Sequence, residues 1–229
     1  PTRAIQSGEI SQRSMKNAVV LVTLLSFASA CVLIYISSAL ISDSLIWIYL
    51  GLTGVSIFAA ILYTVGKSAY GYYGLGDLMV FLFFGCLSVL GVFILYGMRF
   101  EALTLMPAFT IGFWSVAVLN LNNMRDIVND AASSKRTVVV QLGSARAKYY
   151  HLILILSGLS IWTTLNGVYV YLNNNWIFLI AVCPTLFLYP HLKRVIEIND
   201  PSMYDPELKK VALITFSSSI LFATSLFLV

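Results

Sequence analysis

The chain has 229 residues, 59% of them apolar and 10% charged, with a mean hydropathy of +0.86 and a formal net charge of +4. A soluble domain carries about 25% charged residues, so a water-soluble globule is excluded. The positive balance comes with neither a basic stripe on an aromatic platform nor a helix-turn-helix pattern, so it does not point to nucleic acid.

Apolar runs long enough to cross a bilayer need roughly 20 residues each, and such runs predict an all-α, polytopic transmembrane helical bundle. The chain opens at Pro1 in a polar segment that carries Arg3 and Glu9. The first predicted span runs from Asn17 to Leu40 and the second from Leu45 to Leu62, with a hairpin near Asp43 between them. Neither has the short apolar core and small-residue cleavage site of a signal peptide.

The second span leads into Tyr63-Thr-Val-Gly-Lys67 and then Tyr70-Gly-Tyr-Tyr-Gly-Leu-Gly-Asp77. Glycines allow tight turns and close backbone approach. Tyr63 and Lys67, four apart, can present a hydroxyl and an ammonium together to an anion. Tyr and Lys at a membrane boundary more commonly mean an aromatic belt with a snorkelling amine. The motif gains weight from sharing a face with the cluster that follows.

Spans three and four run from Leu78 to Tyr96 and from Leu103 to Leu119, with Arg99 between them. Directly after comes Asn120-Leu-Asn122-Asn123-Met-Arg125-Asp126-Ile-Val-Asn129-Asp130. If the span continues as a helix, Asn122, Asp126 and Asp130 fall at i, i+4 and i+8 on one oxygen-bearing stripe. Such a stripe suits a hard cation that is also bound by substrate phosphates. Lys135 and Arg136 follow at once, as a diphosphate with bound metal requires. A solvated helix end whose acids and bases pair with one another carries the same residue types. Three amides and two carboxylates at helical spacing favour function.

The remaining spans run from Tyr149 to Leu172, Trp176 to Leu192 and Val211 to Val229. His151 and His191 sit at span ends, are expected at the interface, and share no metal-ligand spacing. Cys31, Cys86 and Cys183 fall inside spans without paired spacing, as small apolar packing residues do. Trp47, Trp162 and Trp176 read as belt or packing residues. The acidic connection from Glu197 to Glu207, with Pro201 and Pro206, either caps a site or only joins two helices. Alternating loops place every Lys and Arg except Arg99 on one face, together with every acid except Asp43 and Glu101. A bias of this kind marks the cytoplasmic side.

At these residues the chain resembles the UbiA-type superfamily of intramembrane prenyltransferases. Asp126 to Asp130 matches the family's second Asp-rich motif, DxxxD, and Tyr63 to Lys67 its YxxxK motif. Gly71 to Asp77, the Phe-rich Val80 to Gly85, Asn122 to Asp126 and Lys135 to Gly143 are most similar to the branch acting on 1,4-dihydroxy-2-naphthoate in menaquinone biosynthesis. The likeness covers essentially the whole chain. It implies a nine-helix fold of which seven helices are visible in one transmembrane prenyltransferase domain over residues 1–229. Two helices and the first Asp-rich motif, NDxxDxxxD, are expected upstream of Pro1.

The resemblance further implies Mg²⁺-dependent transfer of a polyprenyl group from its diphosphate to the naphthoate ring, with loss of carbon dioxide. Asp126, Asp130 and Asn122 would hold the metal, and Tyr63 and Lys67 would act with the two aspartates in catalysis. Arg125, Asn123, Lys135, Arg136, Asp77 and Arg3 would bind substrate. The expected setting is the lipid of a bacterial inner membrane, with the active loops cytoplasmic. Transfer to 4-hydroxybenzoate or another phenol is the alternative acceptor. A transporter would show charge near the midplane or broken helices, and the sequence shows neither.

Overall fold

A computed structural model describes residues 10–64 and 69–229. Seven helices among them are long and apolar enough to cross a membrane: α1 (Gln12–Ser37), α2 (Asp43–Thr64), α3 (Gly76–Leu95), α4 (Ala102–Arg125), α7 (Ser144–Asn173), α8 (Trp176–Glu197) and α9 (Pro201–Phe227). Two short helices, α5 (Ile127–Ala132) and α6 (Val138–Leu142), lie between α4 and α7. The described residues contain no strand. The chain is therefore an integral membrane protein of the polytopic helical class.

Several helices outrun their apolar cores. The fourth continues past Leu119 to Arg125, and the last begins at Pro201, ten residues before the apolar run at Val211. A helix satisfies its own backbone groups, so it can extend into the polar headgroup layer without penalty. The connection before α9 is consequently short, and Asp205 and Glu207 lie on the helix itself. Asp200 caps its entry: the Ser202 amide donates to the Asp200 carboxylate at 3.0 Å, which holds that carboxyl below its ordinary range.

Two spans depart from regular α-helix. In α3 the winding widens to i→i+5 over Phe81–Leu87. In α8 it tightens to 3₁₀ over Trp176–Phe187, a stretch that contains Pro184. Proline has no amide to donate and crowds the preceding turn, so unbroken α-helix is unfavourable there.

The chain divides into two compact units, one of residues up to Ile61 with Leu95–Met98, the other of Leu62–Ile94 with Arg99–Val229. In the first, Ser11 caps α1 by accepting from the Ser14 amide at 3.1 Å. Ile34 and Ser37 are the buried residues of α1. Gly97, at φ +72°, packs where a side chain would strike the Leu40 carbonyl.

In the second unit α4 is central and packs on α3, α7 and α9, while α8 packs on α7 and α9. Close approach is made by glycine. A Cβ at Gly85 would lie 2.6 Å from the Gly112 Cα, and one at Gly158 would run into the Trp114 indole. Small residues at such crossings let backbones meet where lipid offers no hydrophobic drive. Trp162 is buried and donates its indole N–H to the Ala181 carbonyl at 3.0 Å, whereas Trp47 and Trp176 are exposed. The cysteines are free, and Cys183 is exposed, so the expected packing role does not hold there.

Candidate active site

The polar end of α4 is held by one guanidinium. Arg125 closes the helix, and Asp126 turns out of it at φ −94°, ψ 7°, before α5 begins. The expected continuous stripe is thus bent at Asp126, although the Asp126 amide still donates to the Asn122 carbonyl at 3.1 Å and the Asp130 amide to the Asp126 carbonyl at 2.9 Å. Arg125 donates to both carboxylate oxygens of Asp126 at 2.9 Å, to Asn122 Oδ1 at 2.6 Å and to Asp205 Oδ1 at 2.6 Å. A planar fork suits this multiple pairing. Asp205, on α9, was one of the acids whose role the sequence leaves open.

Asp130 sits differently. Its side chain is 1% exposed, and Lys135 Nζ donates to Oδ2 at 3.0 Å. Oδ1 is buried without a hydrogen-bond partner among the described residues. An uncompensated buried carboxylate oxygen is costly, and a divalent cation would satisfy it. Among the described residues no group of three His, Cys, Asp or Glu side chains is gathered to hold a metal. The donor set therefore fits a cation completed by substrate oxygens better than a closed protein cage.

Backbone contacts join the glycine-rich loop to this cluster. The Arg136 amide donates to the Tyr72 carbonyl at 2.8 Å, and the Gln141 side chain donates to the Arg136 carbonyl at 2.9 Å. Gly74, at φ +79°, leaves room there: a Cβ would lie 2.6 Å from Gln141 Nε2 and 2.9 Å from the Arg136 carbonyl oxygen. Tyr63 packs edge-on against Tyr70 with ring centroids 5.5 Å apart, and its hydroxyl lies under Gly76. Asp77 is buried, and the Tyr150 hydroxyl donates to its Oδ2 at 2.9 Å. Asn123 is buried on α4. Tyr63, Asp77, Asn122, Asn123, Arg125, Asp126, Asp130, Lys135 and Arg136 thus all belong to the second unit; Lys67 and Arg3 lie outside the described residues.

Next to this cluster lies an apolar cavity of about 630 Å³ between α3, α4 and α9. Val80 and Phe84 on α3, Ile111, Trp114, Val118 and Leu119 on α4, and Leu208, Ala212 and Phe216 on α9 supply its walls, and Asn122 lies at the charged end. From Ile111 to Asn122 the cavity follows α4 for roughly 16 Å at the helical rise. A charged cluster at the end of an apolar groove can hold an anionic head whose tail is hydrocarbon.

The family model for UbiA prenyltransferases matches residues 1–205. The chain belongs to the UbiA prenyltransferase family. Among curated UbiA-type relatives, the 1,4-dihydroxy-2-naphthoate octaprenyltransferase of Escherichia coli K12 is 35% identical over 228 residues, covering 100% of this chain and 72% of the relative. The protein of the same name from Haemophilus influenzae is 35% identical over 226 residues, covering 99% and 72%. That from Mycobacterium tuberculosis is 35% identical over 159 residues, covering 69% and 52%. UbiA prenyltransferases are generally metal-dependent enzymes. No solved structure matches the chain.

His151 and His191, which the sequence places at span ends, are fully buried with their rings in contact. They are forty residues apart, and no local pattern links them. The sequence reading missed Tyr150 and Asp205; the only signal for Asp205 was an acidic stretch before the last span.

Proposed function

We propose that this chain transfers a polyprenyl group from polyprenyl diphosphate to 1,4-dihydroxy-2-naphthoate, with loss of the ring carboxylate as carbon dioxide, giving demethylmenaquinol for menaquinone biosynthesis. The observation that carries the reading is the apolar groove ending at Asn122 beside Arg125 and Asp126. It is supported by full-length similarity to proteins named for this acceptor. Those names do not favour 4-hydroxybenzoate or transport. We take both units as parts of one transmembrane prenyltransferase domain in the inner membrane, with the charged end cytoplasmic.

The allylic C–O bond breaks, its electron pair leaving with diphosphate. The ring carbon that carries the carboxylate then bonds to the prenyl cation, and its C–CO₂ bond breaks and returns its pair to the ring. The chain's task is to stabilise charge on the leaving oxygens and to keep water from the cation. Mg²⁺, held by Asp126 and Asp130 with Asn122, would supply neutralisation of the diphosphate charge. Arg125, Lys135, Arg136 and the sequence-assigned Lys67 and Arg3 add cations around it. Tyr63 offers a hydroxyl to the diphosphate, and Asp77 and Asn123 orient the acceptor. The groove walls exclude water and take the hydrocarbon tail.

The test is incubation of detergent-purified protein with a polyprenyl diphosphate and the naphthoate, with and without Mg²⁺, reading prenylated product by mass spectrometry. Metal-dependent, carboxylate-free product is the expected result. No product with the naphthoate, but product with 4-hydroxybenzoate, overturns the acceptor; inertness with both overturns the reaction.

A further inference from the structure

Apart from the charged cluster, the second unit buries a polar chain that prenyl transfer does not use. His191 Nδ1 lies 2.7 Å from Glu207 Oε2, and His191 Nε2 lies 2.9 Å from His151 Nε2. Both rings are 0% exposed and Glu207 is 3% exposed. The second carboxylate oxygen of Glu207 accepts from Lys210 at 2.6 Å, whose side chain is half exposed. A carboxylate only accepts, so His191 donates from Nδ1, and one of the two facing Nε2 atoms donates to the other. Three helices are tied in this way, His151 on α7, His191 on α8 and Glu207 on α9. Lys148 reinforces the tie by donating from α7 to the Ile196 carbonyl at 2.8 Å and the Ile198 carbonyl at 2.5 Å, at the end of α8.

Lipid supplies no hydrophobic force between helices, so buried hydrogen bonds of this kind help set how they are placed. What is placed here is the turn of α9 from Asp205 to Leu208. Glu207 stands two residues after Asp205, which holds Arg125, and one residue before Leu208, which lines the groove. A shift of that turn would move the Asp205 carboxylate away from Arg125, and with it the guanidinium that spans Asn122 and Asp126.

We infer that His151, His191 and Glu207 form a buried clasp that positions the Asp205–Leu208 turn of α9, and through Asp205 the Arg125 guanidinium, for the reaction. They are positioning residues, and the inference rests on the prenyl-transfer reading above. Glu207→Leu keeps the bulk of the side chain and removes both acceptors, while Glu207→Gln keeps an oxygen for His191. With misplacement of reacting groups as the only defect, Glu207→Leu lowers kcat roughly 10- to 100-fold. The KM for polyprenyl diphosphate moves less than about threefold, because the groove walls on α3 and α4, and those on α9 from Ala212 onward, stay in place. Glu207→Gln loses less than Glu207→Leu.

A double-mutant cycle separates positioning from general destabilisation. On an Asp205→Asn background, where the clasp no longer has its carboxylate to aim, adding Glu207→Leu costs less than about threefold further in kcat. A loss equal to the full product of the two single losses would overturn the inference. Amide hydrogen exchange at residues 208–211 of α9, the first with acceptors inside the α-helical part that starts at Tyr204, gives a readout independent of turnover. Faster exchange in Glu207→Leu supports the clasp, and unchanged exchange overturns it whatever the activity. If the parent protein is inert with both acceptors, the prenyl-transfer reading falls, and faster exchange in Glu207→Leu still leaves the clasp standing. If Glu207→Leu does not fold, His151→Phe, at the far end of the clasp with Glu207 intact, carries the same measurements.

Discussion

In the first unit only 6% of the most apolar window of α1 is buried within the protein, whereas α4 and α7 of the second unit each reach 33%. The α1 window is nevertheless the more apolar of the three. Leu24, Tyr35 and Trp47 in the first unit are exposed, and the helices of the second unit bury Asn120, Asn166, His151, His191 and Glu207. In water, high apolarity would mark the core. In a bilayer it does not, because acyl chains solvate Leu and Phe as well as a protein interior does; buried Trp114, Trp162 and Leu121 are joined in the helix contacts by small and polar residues that lipid would not accept. Hydropathy alone does not sort the helices, however: α3 is the most apolar span, yet it packs on α4 through Gly85 and lines the groove with Val80 and Phe84.

That contrast can be tested by substitution. The largest effect is expected at the charged end of the second unit: Asp130→Ala should lower prenyl transfer by at least roughly 100-fold, the scale of losing one preorganised electrostatic group. A thermal midpoint in detergent near that of the parent would confirm that the loss is chemical; near-parent activity would remove Asp130 from the site. Next comes the glycine crossing of α3 and α4. Gly85→Leu forces side-chain atoms onto the Gly112 backbone and should cost about 3 kcal/mol, the upper part of the usual overpacking range, read as a lowered unfolding temperature. Tyr150→Phe removes the donor to Asp77 and leaves a buried carboxylate oxygen without it, a cost of about 1.5 kcal/mol by the same measurement. The smallest effect belongs to the first unit. A Cβ at Gly51 or Gly54 meets nothing within 4 Å, so Gly51→Ala and Gly54→Ala should leave stability unchanged or raise it by up to about 1 kcal/mol, the helix-propensity difference. A loss at Gly51 as large as that at Gly85 would break the contrast between the units.

The charged site was partly legible. Asn122, Asp126 and Asp130 at helical spacing, with Lys135 and Arg136 following, pointed to one polar end. The spacing could not show that the two aspartates live in different surroundings. Asp126 is about a quarter exposed and gripped on both oxygens by Arg125, while Asp130 is buried with one oxygen on Lys135 and the other unpaired. A bend of one residue at Asp126 makes that difference. The Tyr63 loop could be assigned to the same end only through topology; the bond from the Arg136 amide to the Tyr72 carbonyl joins it there.

The sequence by itself determined the fold class, because a run of apolar residues long enough to cross a bilayer must form its own backbone hydrogen bonds, and the helix does so without any partner. It determined the polar cluster of α4 and the family motifs, since these lie within a few turns of one helix or one loop. Only the tertiary structure decided which helix faces meet, that Asp205 reaches across 80 residues to Arg125, and that His151 touches His191. Those pairings depend on helix rotation and register, which in lipid are set by close contacts of small residues and a few buried hydrogen bonds, and hydropathy does not record them.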